Sequence, residues 1–166
     1  SEEKISAIQG DWRYFQCSRR CHDELYDSVE TLHKLNDAIG PDLRVPTDMI
    51  PRCPKCGAEM EPWVRSWVFL EGKKYHEEHN KLNTFLKKNM HKKVLFLELG
   101  VGRMTPMFIQ EPFWNLTYTW PGAFYITINP RDAIVPDELK NKGMAIREDI
   151  AKVLTDTRKI LSGEMK

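Results

Sequence analysis

The chain has 166 residues, 41% of them hydrophobic and 30% charged, with a formal net charge of +1. That length suits one domain, or one domain with a small inserted module, and the composition supports a buried core. The balance of charge excludes a strong field toward nucleic acid or an anionic membrane, and no apolar run approaches bilayer-spanning length.

The opening residues, Ser-Glu-Glu-Lys-Ile-Ser, lack the charged-then-apolar layout of a signal peptide, so a cytoplasmic address is expected. Residues 4–8 form a short apolar-rich run ending at Gln9-Gly10-Asp11, which predicts a strand that stops at a turn. Residues 23–39 read as a helix, with Leu25, Val29, Leu32 and Leu35 at helical spacing and Gly40-Pro41 ending it. A proline-rich loop follows to Pro54. Residues 63–70 (WVRSWVFL) are aromatic and β-branched, hence extended, and residues 75–89 read as a helix burying Leu82, Phe85 and Leu86.

VLFLEL at 94–99 is the near-continuous apolar run of a strand buried on both faces of a parallel sheet, and FYITI at 124–128 is a second. A crossover with a helix near 106–115, interrupted by Pro112, joins them. Residues 147–161 predict a final amphipathic helix with Ile150, Val153, Leu154 and Leu161 inward and Glu148 and Asp149 in its first turn. Strand, crossover, strand and helix make half of a doubly wound α/β sheet.

Four cysteines carry the strongest chemical signal. Cys17 and Cys21 form CxxxC, and Cys53 and Cys56 form CPKCG. Zinc prefers thiolates in tetrahedral array, and two sulfurs on one tight turn aim at the same ion. In a reducing compartment such pairs bind metal rather than form disulfides. A closed four-thiolate site leaves no position for water, so the zinc is structural. His22, beside Cys21, is an alternative ligand.

Three further patterns are weaker. Gly100-Val101-Gly102 ends an apolar strand, where glycines let a ligand approach the backbone, but the full dinucleotide fingerprint is absent. His76 and His79 are three residues apart, whereas a zinc-protease helix spaces its histidines by four. Residues 63–71 fit either an ordinary buried strand or an exposed edge that receives an extended peptide. Lys87, Lys88, Lys92 and Lys93 are flanked by Glu77, Glu78 and Glu98 and read as a solvated face.

In combination, the segments GDWRYFQCSRRCHDELYD, ELGVGRMTPMFIQEPFWNLT and YITINPRDA resemble the carboxyl-terminal part of a sirtuin, most closely the macrodomain-linked, or class M, sirtuins. The resemblance covers nearly the whole chain. It implies a partial Rossmann-like parallel sheet with an inserted zinc-binding module. Residues 1–16 would be the strand and catalytic-position turn of the Rossmann part, 17–66 the zinc module and 67–166 the carboxyl-terminal half. By position it implies NAD contacts at Gly100, Val101 and Gly102, at Asn129 (adenosine ribose), and at Ala145 and Ile146 in a loop before the last helix. Phe69, Leu70 and Glu71 fall where the family clasps its substrate peptide.

Gln9 occupies the place of the histidine general base of deacetylating sirtuins. A glutamine can orient a ribose hydroxyl but carries no titratable proton near pH 7, which argues against deacylation. The class M resemblance instead implies protein ADP-ribosylation of a substrate such as a lipoylated glycine-cleavage H-like carrier, with a macrodomain partner that reverses it. The family's amino-terminal Gly-Ala-Gly pyrophosphate turn has no counterpart in this sequence, so weak NAD binding by the chain alone is expected. The rival expectations are a non-catalytic zinc-containing binding module and an ordinary sirtuin deacylase.

Overall fold

The computed structural model of the chain describes residues 2–164. They form two compact units, one ending at Thr84 and the other starting at Phe85.

The first unit is built on a three-stranded antiparallel sheet, in the order β2-β1-β3. Strand β1 spans Gly10–Cys17, β2 Tyr26–Asp27 and β3 Met60–Val64. The strand expected at residues 4–8 is not there. A 3-10 turn covers Glu2–Lys4, and the aromatic run GDWRYFQC takes the strand conformation instead. Gly10 makes this start possible: its φ is +92°, and a Cβ there would stand 2.0 Å from the Trp63 carbonyl oxygen. Cys17 pairs with Met60 and Phe15 with Pro62, with an irregularity between Asp11 and Phe15 that bends the strand. Phe15, Cys17, Cys53 and Met60 make the small core, with Leu32 and Leu35 against it.

Helix α1 covers only Val29–Asp37, shorter than the predicted 23–39. Tyr26 and Asp27 are taken by the pairing with β1, and the buried Ser28 hydroxyl donates to the Trp12 carbonyl at 2.6 Å. Helix α2 spans Lys73–Asn89. Asp23, far back in sequence, accepts the Lys73 amide at 2.8 Å and satisfies one of the helix's free donors. Phe85 is exposed rather than inward, and the buried residue of this helix is Glu78.

The second unit holds a parallel sheet in the order β4-β5-β6, from Val94–Leu99, Ala123–Ile128 and Gly143–Ile146. The α/β fold class is therefore borne out. Helix α3, Gln110–Thr119, supplies the crossover between β4 and β5. Pro112 does not interrupt it, because it lies in the first turn, where no backbone donor is required. Phe96, Trp120, Ala123 and Tyr125 form the core.

β4 is not buried on both faces. Phe96 and Glu98 point inward while Leu95, Leu97 and Leu99 are exposed, the alternation of a strand covered on one side. Glu98 is 1% exposed and keeps its place by accepting from Tyr125 Oη at 2.7 Å, Thr127 Oγ1 at 2.9 Å and Gln110 Nε2 at 3.1 Å. Helix α4 runs Ile150–Ser162, starting after Asp149, whose carboxylate accepts the Lys152 amide at 2.9 Å. Leu154 and Leu161, expected inward, are exposed.

Candidate functional site

The four cysteines converge. Their sulfurs all lie within 4.8 Å of one another, with Cys17 Sγ 3.5 Å from Cys56 Sγ and Cys21 Sγ 3.6 Å from Cys53 Sγ. Two tight turns produce this. Arg20 N–H bonds back to the Cys17 carbonyl at 2.8 Å, and Gly57 N–H to the Cys53 carbonyl at 2.9 Å, with Gly57 at φ +71°. A tetrahedron with Zn–S near 2.3 Å has sulfur–sulfur edges of about 3.8 Å, so these sulfurs need to move only slightly to hold such an ion.

The electrostatics agree. The Cys21 backbone N–H, and then that of Arg19, favour the thiolate of Cys17 and hold its thiol down to about 6. Desolvation, then the neighbouring sulfurs, push Cys21 up to about 12. Crowded thiols resist ionising together unless a cation balances them. His22 does not replace a cysteine. Its Nδ1 stands 3.0 Å from Cys21 Sγ and 4.0 Å from Cys53 Sγ, and Tyr26 Oη holds its other nitrogen at 2.8 Å. That is the position of a residue that steers the sulfurs.

Beside the cysteines lies the 65–71 segment. Only Met60–Val64 is strand, so the predicted extended run breaks at Arg65 and turns. Three side chains fix that turn. Gln16, fully buried, donates to the Val68 carbonyl at 2.6 Å and accepts the Leu70 amide at 2.8 Å. Trp63 Nε1 donates to the Leu70 carbonyl at 3.0 Å, and its ring stacks on Phe69 at 5.3 Å. The Arg65 guanidinium lies 4.0 Å over the Phe69 ring and pairs with Glu71. Gln9 adjoins the segment, since its carbonyl accepts the Arg65 amide at 2.9 Å. Phe69, Leu70, Glu71 and Gln9 thus share one neighbourhood of the first unit. Gln16 and Arg65 were not singled out from the sequence; the one signal for Gln16 is a polar side chain next to Cys17 in an otherwise buried strand end.

In the second unit, the carboxyl ends of the three parallel strands meet at Asn129. Its Nδ2 donates to the Val101 carbonyl at 3.1 Å, and its Oδ1 accepts the Arg131 and Asp132 amides at 2.9 and 3.0 Å. Its own amide donates to the Ile146 carbonyl at 3.1 Å. Gly100, at φ +67°, donates its amide to the Ile128 carbonyl at 3.0 Å, and the space around Gly102 is open. Ala145 and Ile146 are not in a loop but in β6, paired with Thr127 and Ile128. The carboxyl end of a parallel sheet is where such folds bind ligands.

The chain is 35% identical over 150 residues to a protein ADP-ribosyltransferase of Staphylococcus aureus, a match covering 89% of this chain and 47% of that protein. The chain is thus similar, across nearly its whole length, to part of a protein ADP-ribosyltransferase. A probable bifunctional ADP-ribose hydrolase/ADP-ribosyltransferase of Fusarium oxysporum f. sp. cubense is 26% identical over 168 residues, covering 92% of this chain and 27% of that protein. The chain therefore spans about half the length of one curated relative and about a quarter of the other. Among solved structures, one on the basis of sirtuin substrate affinity aligns at 14% identity and a TM-score of 0.49, over 98% of this chain and 58% of that one. A histidine-to-asparagine mutant of a Sir2 homologue in complex with ADP-ribose aligns at 17% and 0.47, over 93% and 53%. No protein-family model matches the chain. Among the described residues no helix is long and apolar enough to cross a membrane.

Proposed function

We propose that this chain carries the zinc-holding unit and the carboxyl-terminal parallel sheet of an NAD-dependent, sirtuin-like protein ADP-ribosyltransferase of the macrodomain-linked, class M kind. The observation that carries the reading is the 35% identity, across nearly the whole chain, to a protein ADP-ribosyltransferase. Gln9 at the general-base position supports transfer over deacylation, since an amide cannot take up the proton that deacylation requires.

NAD supplies the ADP-ribosyl group and releases nicotinamide. On this reading the backbone of Gly100–Gly102, with Asn129, Ala145 and Ile146, forms the nucleotide-facing end of the sheet. Gln9 orients a ribose hydroxyl, and Phe69, Leu70 and Glu71 face the protein substrate. Cys17, Cys21, Cys53 and Cys56 hold one zinc ion, which folds their unit and takes no part in the transfer. The substrate is a protein such as a lipoylated glycine-cleavage H-like carrier, and a macrodomain protein removes the modification.

Nicotinamide release from labelled NAD and label transfer to protein test the proposal, with the chain alone and with an added half bearing the Gly-Ala-Gly turn. Transfer in the combined sample with little NAD binding by the chain alone is the expected result. Robust deacylation of an acyl-lysine peptide by the parent sequence would overturn it.

A further inference from the structure

The three residues between Cys17 and Cys21 are Ser18, Arg19 and Arg20. Arg20 is held in the left-handed region at φ +50°, which a long side chain adopts only at a cost and under constraint. The constraint here is the cysteine turn itself, closed by the Arg20–Cys17 hydrogen bond. Arg19 and Arg20 are both exposed, and among the described residues neither guanidinium has a carboxylate partner.

Both arginines line a cavity of about 610 Å³ whose other wall is the 65–71 segment. Trp67, on that wall, is 100% exposed, an unusual place for a large aromatic ring in a free surface. Arg65 also borders the cavity, but Glu71 and the Phe69 ring already engage its charge. Two uncommitted cations, a bare indole and the open space between them remain. Glu71 lines the same cavity but is paired with Arg65, so it does not offset Arg19 and Arg20, while a net charge of +1 provides no extended positive track for a polyphosphate backbone.

We infer that this cavity is a recognition site for an acidic peptide segment of the protein substrate, with Arg19 and Arg20 taking its carboxylates and Trp67 covering an adjacent side chain. Arginine forks suit carboxylates in this role, and the cysteine turn spends backbone strain to aim them. The inference rests on the reading of Phe69–Glu71 as substrate-facing. Its test needs no transferase activity, so the two can fail separately.

The experiment is titration of the 166-residue chain with a fluorescent Glu/Asp-rich dodecapeptide, its Gln/Asn counterpart, oligouridylate and ADP-ribose. The variants are Arg20→Gly and the double Arg19→Ala/Arg20→Gly. Glycine relieves the left-handed strain, so Arg20→Gly should be at least as stable as the parent and retain its zinc. It should nevertheless bind the acidic peptide about threefold more weakly, and the double variant roughly tenfold, with the difference shrinking at high salt. Unchanged affinity in the double variant, equal binding of the neutral peptide, tighter binding of oligouridylate, or displacement of the peptide by ADP-ribose would each overturn the inference.

Discussion

The side-chain oxygen of Gln16 accepts the Leu70 amide at 2.8 Å across 54 residues of sequence, and its nitrogen holds the Val68 carbonyl and Glu61. One fully buried amide therefore sets the path of the segment expected to face substrate. Gln16→Leu keeps the volume but leaves a buried backbone donor and acceptor unpaired, at a cost of about 1–3 kcal/mol. Chemical denaturation should show that loss, and amide exchange at Leu70 should quicken. Exchange at Leu70 unchanged from the parent would show that Trp63 alone holds the segment.

One zinc per chain is expected by metal analysis of the purified protein. Cys53→Ser should release it and unfold the first unit, because structural zinc sites contribute about 10–16 kcal/mol of binding free energy at neutral pH. The parallel sheet, with its separate core of Phe96, Trp120 and Tyr125, should keep its exchange protection. A protein that retains both fold and stability after exhaustive chelation would refute a structural metal here.

The parallel strands and the cysteine pairs were legible in the sequence because each is a local pattern: VLFLEL and FYITI are runs, and CPKCG is a turn with its own glycine. What stayed hidden depends on partners distant in sequence. Glu98 reads as the polar end of an apolar strand, yet Tyr125, Thr127 and Gln110 bring it into the core. The apolar residues at 5–8 predict the first strand too early in the chain, because the role of Gly10 appears only when Trp63 is packed against it. Helix α4 forms as its spacing predicts, but Leu154 and Leu161 are exposed, since helical spacing marks an apolar stripe without showing what covers it.

Acid should weaken the first unit through Glu78. Burial raises the pKa of its carboxyl, but Lys81 at 2.8 Å, Lys74 at 3.0 Å and the Ala7 amide at 3.1 Å together prevail and hold it below its ordinary value of 4.5. A depressed folded-state value means the stabilisation is present above about pH 4.5 and is lost as pH falls through the folded value. Glu78→Gln should lower stability near pH 7 by about 1–3 kcal/mol and flatten the acid side of the stability–pH curve. Parallel curves for parent and variant below pH 5 would assign the acid sensitivity elsewhere.

Gly10 allows a sharper test of how Gln9 is placed. With φ at +92° and a Cβ position 2.0 Å from the Trp63 carbonyl oxygen, Gly10→Ala must shift the strand start, and a loss of about 2–4 kcal/mol is expected. Gln9→Ala, one residue away, meets no such clash and should cost less stability than Gly10→Ala. With the added half present, Gln9→Ala should still lower the transfer rate about tenfold or more if Gln9 orients the reacting sugar as proposed. Gln9→His should not restore that rate, since it replaces an amide that orients with an imidazole that titrates. If the histidine variant instead gains deacylase activity while losing transfer, residue 9 is the position that divides the two chemistries; if both Gln9 variants transfer as fast as the parent, Gln9 has no part in the reaction.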